Sequence, residues 1–162
     1  MIYRLATADI PAILTVVNSG AAAKSGKIPN DLWQEPYMPY QKLKEEIHSG
    51  VQFYGCKDEG VLTAVMGIQR VQDVTLIRHA YVLPAKQHKG LGQQLLKHLL
   101  DLASTGHVYV GTWAAASWAV KFHEKNGFQL VSEAEKNRLP RIYWRISERQ
   151  VETSVLKLKR QS

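Results

Sequence analysis

The chain is short of cysteine, of long apolar runs and of repetition, and each shortage removes a class of protein. One cysteine, Cys56, among 162 residues excludes an internal disulfide. It lies in an apolar, strand-like stretch between Tyr54 and Lys57, with no histidine or carboxylate spaced to activate it, so it reads as a reduced, buried thiol. No run reaches the ~18 apolar residues of a membrane-crossing helix. The start, Met1-Ile2-Tyr3-Arg4-Leu5, lacks the apolar core of a secretory leader, so a cytoplasmic protein with no membrane partner is expected. Internal repeats and low-complexity segments are absent, and no metal site is expected.

What is present is an ordinary globular composition. Hydrophobic residues make up 45% and charged residues 22%, which sets aside disordered, collagenous and coiled-coil classes. The length suits one domain spanning 1–162. The net charge of +7 favours a polyanionic partner, whether nucleic acid, acidic membrane or a phosphate-rich cofactor. Lys86, His88 and Lys89 crowd a glycine turn, whereas Arg138, Arg141, Arg145 and Arg149 recur along a later segment. The first cluster suits phosphates.

Residue patterning predicts alternating strands and helices. Residues 1–5 read as a strand, and a helix capped by Thr7 or Asp9 with Pro11 in its first turn runs to about Ser19. Gly20 to Asn30 reads as loop, and Gln41–His48 as a helix stopped by Gly50. Val51–Cys56 and Val61–Gln69 form a hairpin about Lys57-Asp58-Glu59-Gly60, followed by a strand from Val74 to Leu83 that Pro84 ends. Gly90–Ala103 places six leucines at helical spacing. His107–Trp113 is a strand, Ser117–Lys125 a helix, Phe128–Val131 a short strand, Asn137–Ser147 an amphipathic segment helical from Pro140, and Val151–Leu158 a closing strand. The order βααβββαβαβαβ is an α/β fold with mixed strand directions.

The informative segment is the strand end Val82-Leu83-Pro84, then Gln87-His88-Lys89-Gly90-Leu91-Gly92, then a helix. A helix N-terminus leaves backbone N–H groups unpaired and carries about half a positive charge, so it binds phosphate oxygens. Glycines at 90 and 92 keep side chains out of a diphosphate's way. The dinucleotide fingerprint would need a third glycine where Leu95 stands, and the Gly-Lys-Ser/Thr of a P-loop is absent.

This segment resembles the Gln/Arg-x-x-Gly-x-Gly/Ala signature of the GNAT acetyltransferase superfamily, and Ala119-Val120-Lys121-Phe122-His123-Glu124-Lys125-Asn126-Gly127-Phe128 resembles its A-x-x-F-Y-E-K-x-G-F passage. The resemblance implies a GNAT fold, with a mixed, mostly antiparallel twisted sheet of about seven strands flanked by helices on both faces. It implies acetyl-CoA as co-substrate, held by the Gln87–Gln94 segment: Gln87 and His88 in the signature, and the amides of Lys89, Gly90, Leu91, Gly92, Gln93 and Gln94 on the diphosphate. The main chain of Tyr81, Val82 and Leu83 would pair with the pantetheine arm. The thioester would then lie between Val82 and the strand end near Thr112 and Trp113.

Three departures follow from the same comparison. His123 stands where many relatives carry a thiol-protonating tyrosine, and acts either as that donor or as a packing residue. Ala116 replaces an asparagine that contacts the cofactor in relatives. The strand position where relatives often place a basic glutamate is Gly111. His79 is then the first candidate base, against a structural hydrogen-bonding role, with Glu46 behind it. Trp33, Tyr37, Tyr40 and Trp113 are candidates for an acceptor wall or for core, and Arg138, Arg141 and Arg145 for an acidic-substrate site or a solvated face. The expected activity is N-acetylation of a primary amine, of a small molecule or a protein N-terminus, by direct transfer. The alternative is a CoA-binding regulatory module without competent acid and base. No nucleic acid partner is expected, for the basic residues are scattered. Trp144 and the last strand suggest a homodimer.

Overall fold

A computed structural model describes residues 1–22, 26–113, 116–144 and 154–161. The elements are β1 (Ile2–Arg4), α1 (Ile10–Ala21), α2 (Tyr40–His48), β2 (Gln52–Asp58), β3 (Val61–Val71), β4 (Val74–Val82), α3 (Leu91–Leu102), β5 (His107–Trp113), α4 (Ser117–Lys125), β6 (Gln129–Leu130), α5 (Glu133–Leu139) and β7 (Ser154–Arg160). Their order is the expected one. The strands form a seven-stranded sheet ordered β1-β2-β3-β4-β5-β7-β6, antiparallel except for the β4–β5 pair.

Local chemistry explains most boundaries. Glu59 and Gly60 both take positive φ, the requirement of a tight two-residue hairpin turn whose twist matches the strands. β3 is buried on both faces: Leu62 and Val65 pack under α1 and α2, while Ala64 and Met66 pack under α3. On one face Ile10, Ile13, Val16, Val17 and Leu43 cover the sheet, and on the other Leu95, Leu96 and Leu99 do so. Each such buried leucine contributes on the order of 2 kcal/mol by removal from water.

Two expectations need correction. Gly20 is inside α1 rather than opening a loop, because the helix continues to Ala21 with its last turn packed on Tyr81. The late helix begins at Glu133, not Pro140: Ser132 accepts a hydrogen bond from the Glu135 amide, an N-cap that the Ser132-x-x-Glu135 spacing announces. A π-helical turn, Pro140–Trp144, follows. Residues 145–153, on which the rest of that segment and the start of the last strand were expected, lie outside the described residues.

A bulge in β4 matters most for the site. Gly67 pairs with Arg78 and Val65 with Tyr81, so β4 carries an extra residue at His79-Ala80, and His79 adopts φ 53°. The parallel β4–β5 ladder runs from Val74↔His107 only to Ile77↔Val110. Beyond it β4 remains on β3 and β5 remains on β7, as far as Trp113↔Ser154. The sheet therefore splits between Val82 and Thr112.

Candidate active site

The split opens into a cleft of about 1940 Å³, roughly twice or more the ~300–1,000 Å³ of a small-ligand pocket and so large enough for two substrates. One end is built by α3. Gly90 caps the helix in the left-handed region at φ 79°, which favours glycine, and His88 before it takes φ 63°. A Cβ at Gly90 would meet only Gln94 Nε2, at 4.0 Å, while a Cβ at Gly92 would stand 3.6 Å from Phe122 Cζ. Both glycines thus leave the helix start bare toward the cleft.

The structure narrows the donor set expected there. The Gln94 amide donates to Gly90 O at 3.0 Å as the first bond of the helix, so among the described residues the amides of Gly90, Leu91, Gly92 and Gln93 are the unengaged ones at this terminus. Leu83 is also engaged, donating to Thr63 O at 2.9 Å and accepting from the Lys86 amide at 2.8 Å. By strand alternation the Val82 N–H and C=O then face the split. The Gln87 side chain reaches the Val82 carbonyl at 3.5 Å. All the expected cofactor residues line the cleft except Leu83, Lys89 and Gln94. Lys86 is drawn aside by Asp58, 2.8 Å from its Nζ, and that hydrogen bond and charge hold the Asp58 carboxyl below its ordinary range.

The floor of the cleft carries His123 on α4. It is buried, between the rings of Phe122 and Phe128 at centroid distances of 5.9 and 6.0 Å. α4 is held from beneath by Lys157, a fully buried lysine of β7 whose Nζ donates to Val120 O at 2.9 Å and to Glu124 Oε1 at 3.0 Å. Lys159 Nζ caps the same helix at Asn126 O, 2.9 Å away. Asn126 also accepts from the Gln93 side chain, tying the start of α3 to the end of α4. Nothing local in the sequence marks Lys157 or Asn126 for these roles. A lysine alternating with leucines looks like a solvent-facing strand residue until a helix is known to cover that face.

The opposite wall comes from α2 and the loop before it. Asn18 of α1 exchanges two hydrogen bonds with the Met38 backbone, 2.7 and 3.1 Å, which fixes that loop. Trp33 and Tyr37 line the cleft, with Tyr37 edge-on to Tyr81 at 6.2 Å. Tyr40 is half-exposed and does not line the cleft, and the Trp113 side chain lies outside the described residues. Ala116 is fully buried at the α4 N-cap. Burial first, then Tyr37 and Glu46, pushes the Tyr81 phenol well above its ordinary range.

His79 and Glu46, expected as separate candidates, form one unit. His79 Nε2 lies 2.8 Å from Glu46 Oε1, and Arg78 Nη2 reaches the same oxygen at 2.8 Å. Burial pushes the Glu46 carboxyl up, but the His79 bond with the charges of His79, Arg78 and Lys42 outweighs it and leaves the group below its ordinary range. Gly111 also lines the cleft, so α2 brings a carboxylate to a site where β5 offers none. Arg138 and Arg141 are exposed and do not line the cleft, whereas Arg145 and Arg149 lie outside the described residues. Trp144 packs against a core of Val74, Leu76 and Leu158, and β7 lies inside the sheet between β5 and β6. Cys56 is buried, and burial raises its thiol above the ordinary range. Among the described residues no helix is long and apolar enough to cross a membrane.

Known proteins share the family pattern and the fold. The family described as Acetyltransferase (GNAT) domain matches residues 20–141. The N-alpha-acetyltransferase RimI of Mycobacterium tuberculosis is 27% identical over 148 residues, covering 87% of this chain and 90% of its own. Two solved structures share the fold. The PaiA N-acetyltransferase of Thermoplasma acidophilum in complex with coenzyme A superposes with TM-score 0.75 at 16% identity, over 99% of this chain and 98% of its own. The ribosomal-protein-S18-alanine N-acetyltransferase of Escherichia coli gives 0.74 at 21%, over 100% and 94%. With the family pattern spanning both glycine turn and α4, the chain belongs to the GNAT family of N-acetyltransferases.

Proposed function

We propose that the protein moves the acetyl group of acetyl-CoA to a primary amine by direct attack, with donor and acceptor together in the one cleft, in a cytoplasmic setting. The observation that carries this is the meeting of two backbone features in that cleft: a helix start with unengaged amides, and a strand whose Val82 groups face an open split. Four successive amides, Gly90 to Gln93, suit a diphosphate, and neither glycine puts a side chain in its way. Bound there, acetyl-CoA supplies a thioester whose carbonyl carbon is the electrophile. The Val82 N–H is placed to polarise an oxygen in the split, the role of a preorganised backbone donor.

The acceptor must arrive neutral to attack, and an α-amine with a pKa near ~8 is mostly protonated at pH 7. His79 is the group that takes this proton, directly or through water, from the α2 side of the cleft. His123, across the cleft floor, returns a proton to the leaving sulfur. The printed names of two relatives, an N-alpha-acetyltransferase and a ribosomal-protein-alanine acetyltransferase, make peptide α-amines the first acceptors to assay.

Release of free thiol from acetyl-CoA, measured against a panel of alanyl and seryl peptides, amino acids and polyamines, tests the reading. Saturable, amine-dependent release by the wild type is expected, falling about 100-fold or more in His123→Ala and His79→Ala. Tight CoA binding without amine-dependent release would overturn it and favour the regulatory module.

A further inference from the structure

Glu46 belongs to neither motif and comes from α2, remote in sequence from His79. Its carboxylate is buried, 9% exposed, with Oε1 accepting from both His79 and Arg78 while Oε2 is enclosed without a hydrogen-bond partner among the described residues. Arg78 is anchored in turn, donating through Nη1 to Gln69 Oε1 at 3.0 Å. Two bonds fix the end of α2 that carries Glu46: the Val51 amide and Ser49 Oγ both donate to its carbonyl, at 3.1 and 2.9 Å. On the other side Phe53 stacks on the imidazole, ring centroids 6.0 Å apart.

Backbone geometry brings His79 to this carboxylate. The residue occupies the left-handed region at φ 53°, a conformation that costs a non-glycine residue about 1–2 kcal/mol, and it does so at the bulge where β4 leaves β5. Neutralising Glu46 does not require this, for Arg78 already does so. What the bulge adds is an imidazole bonded through Nε2 to an acceptor. An ionised carboxylate only accepts, so in the neutral ring Nε2 carries the hydrogen and Nδ1 is left with the lone pair.

We infer that Glu46 is the positioning residue of a carboxylate–histidine couple, fixing the tautomer and orientation of His79 so that Nδ1 is the atom that removes the acceptor's proton. The inference rests on the acetyl-transfer reading above. In the step, the lone pair on Nδ1 forms the N–H bond as the amine's N–H bond breaks. The imidazolium so formed keeps its Nε2–H bond to Glu46, whose negative charge offsets the new positive one. The charged and titratable groups around the couple are Lys42 on α2, Arg78 and Tyr81 on β4, and Tyr37 on the preceding loop.

Glu46→Gln, Glu46→Asp and His79→Gln, singly and as the Glu46→Gln/His79→Gln pair, test it through kcat and KM between pH 5.5 and 9.5, with CoA affinity by calorimetry and the His79 tautomer by long-range nitrogen–proton NMR. Glu46→Gln should lower kcat about 10- to 100-fold, with CoA affinity unchanged. Its low-pH limb of kcat/KM should move to lower pH, because the imidazolium loses its counter-charge. Glu46→Asp should restore part of the rate. In the His79→Gln background Glu46→Gln should change kcat less than about twofold, since the two act as one unit. The wild-type imidazole should be the Nε2–H tautomer, whatever the activity. Wild-type turnover with His79 as the Nδ1–H tautomer, or superimposable pH profiles for wild type and Glu46→Gln, would overturn the inference while leaving acetyl transfer standing. Failure of the acetyl-transfer reading is seen separately, as no thiol release by the wild type with any amine.

Discussion

Replacing Gly20 by alanine should destabilise the protein, although the same change in an exposed helix stabilises it. Helix propensity favours alanine by about 1 kcal/mol. Against this, a Cβ at position 20 would stand 2.8 Å from Tyr81 Cδ1, 3.1 Å from its Cβ and 3.3 Å from its Cγ. These are not the far end of a flexible side chain. The Tyr81 ring is 7% exposed, lies edge-on to Tyr37, and belongs to the strand that borders the split. Overpacking of this kind costs about 1–3 kcal/mol, so the net loss should be near 1 kcal/mol, a fall in Tm of about 2–4 °C at this chain length. Thermal and urea unfolding of Gly20→Ala measure it. In a Tyr81→Ala background two of the three contacts vanish and the penalty should shrink toward zero. A Gly20→Ala protein with a higher Tm than wild type would refute the packing argument.

Stability should fall at both ends of the pH scale for identifiable reasons. Glu46 is held below its ordinary 4.5, so its contribution is present above pH 4.5 and is lost as pH falls through its lowered folded value. Tyr81 is held well above 10.0, so its contribution is present below pH 10 and is lost as pH rises beyond it; Glu46→Gln and Tyr81→Phe in urea titrations should each flatten their own limb. Lys157→Met, which keeps the methylenes and removes a buried charge, should lie within about 1 kcal/mol of wild type or above it, whereas Lys157→Ala should lose about 2 kcal/mol or more in the same titration. Cys56→Ala should leave amine-dependent turnover intact, because the thiol is buried in the β2 core with its ionisation disfavoured, and loss of turnover in a folded protein would contradict direct transfer.

What could be read in advance were the features that local chemistry writes on the chain. Alternating β-branched residues, the leucine spacing of α3 and the glycines at 60, 90 and 127 set the element order, which the structure reproduces. The glycine turn that opens α3 was legible because a helix start and its glycines are contiguous. Features that depend on distant packing were not. Gly20 looked like a loop residue because only the Tyr81 ring explains a glycine inside a helix. Lys157 looked solvated because only α4 covers it. Glu46 and His79 were separate candidates because a β-bulge, invisible in a run of strand-forming residues, brings β4 against α2. Only the Ser132 cap was written locally and still missed, the proline at 140 having drawn the helix start too late.

If the bare helix start at Gly90 and Gly92 grips a diphosphate, calorimetry of coenzyme A against Gly90→Val/Gly92→Val reads that grip. Gly90→Ala, whose Cβ meets only Gln94 Nε2 at 4.0 Å and which carries a conformational cost of about 1–2 kcal/mol, serves as a folded intermediate. The expected result is at least a tenfold loss of coenzyme A affinity in the double variant, with circular dichroism unchanged and pantetheine, which lacks the diphosphate, bound as by wild type. A folded double variant that binds coenzyme A within twofold of wild type would contradict the account.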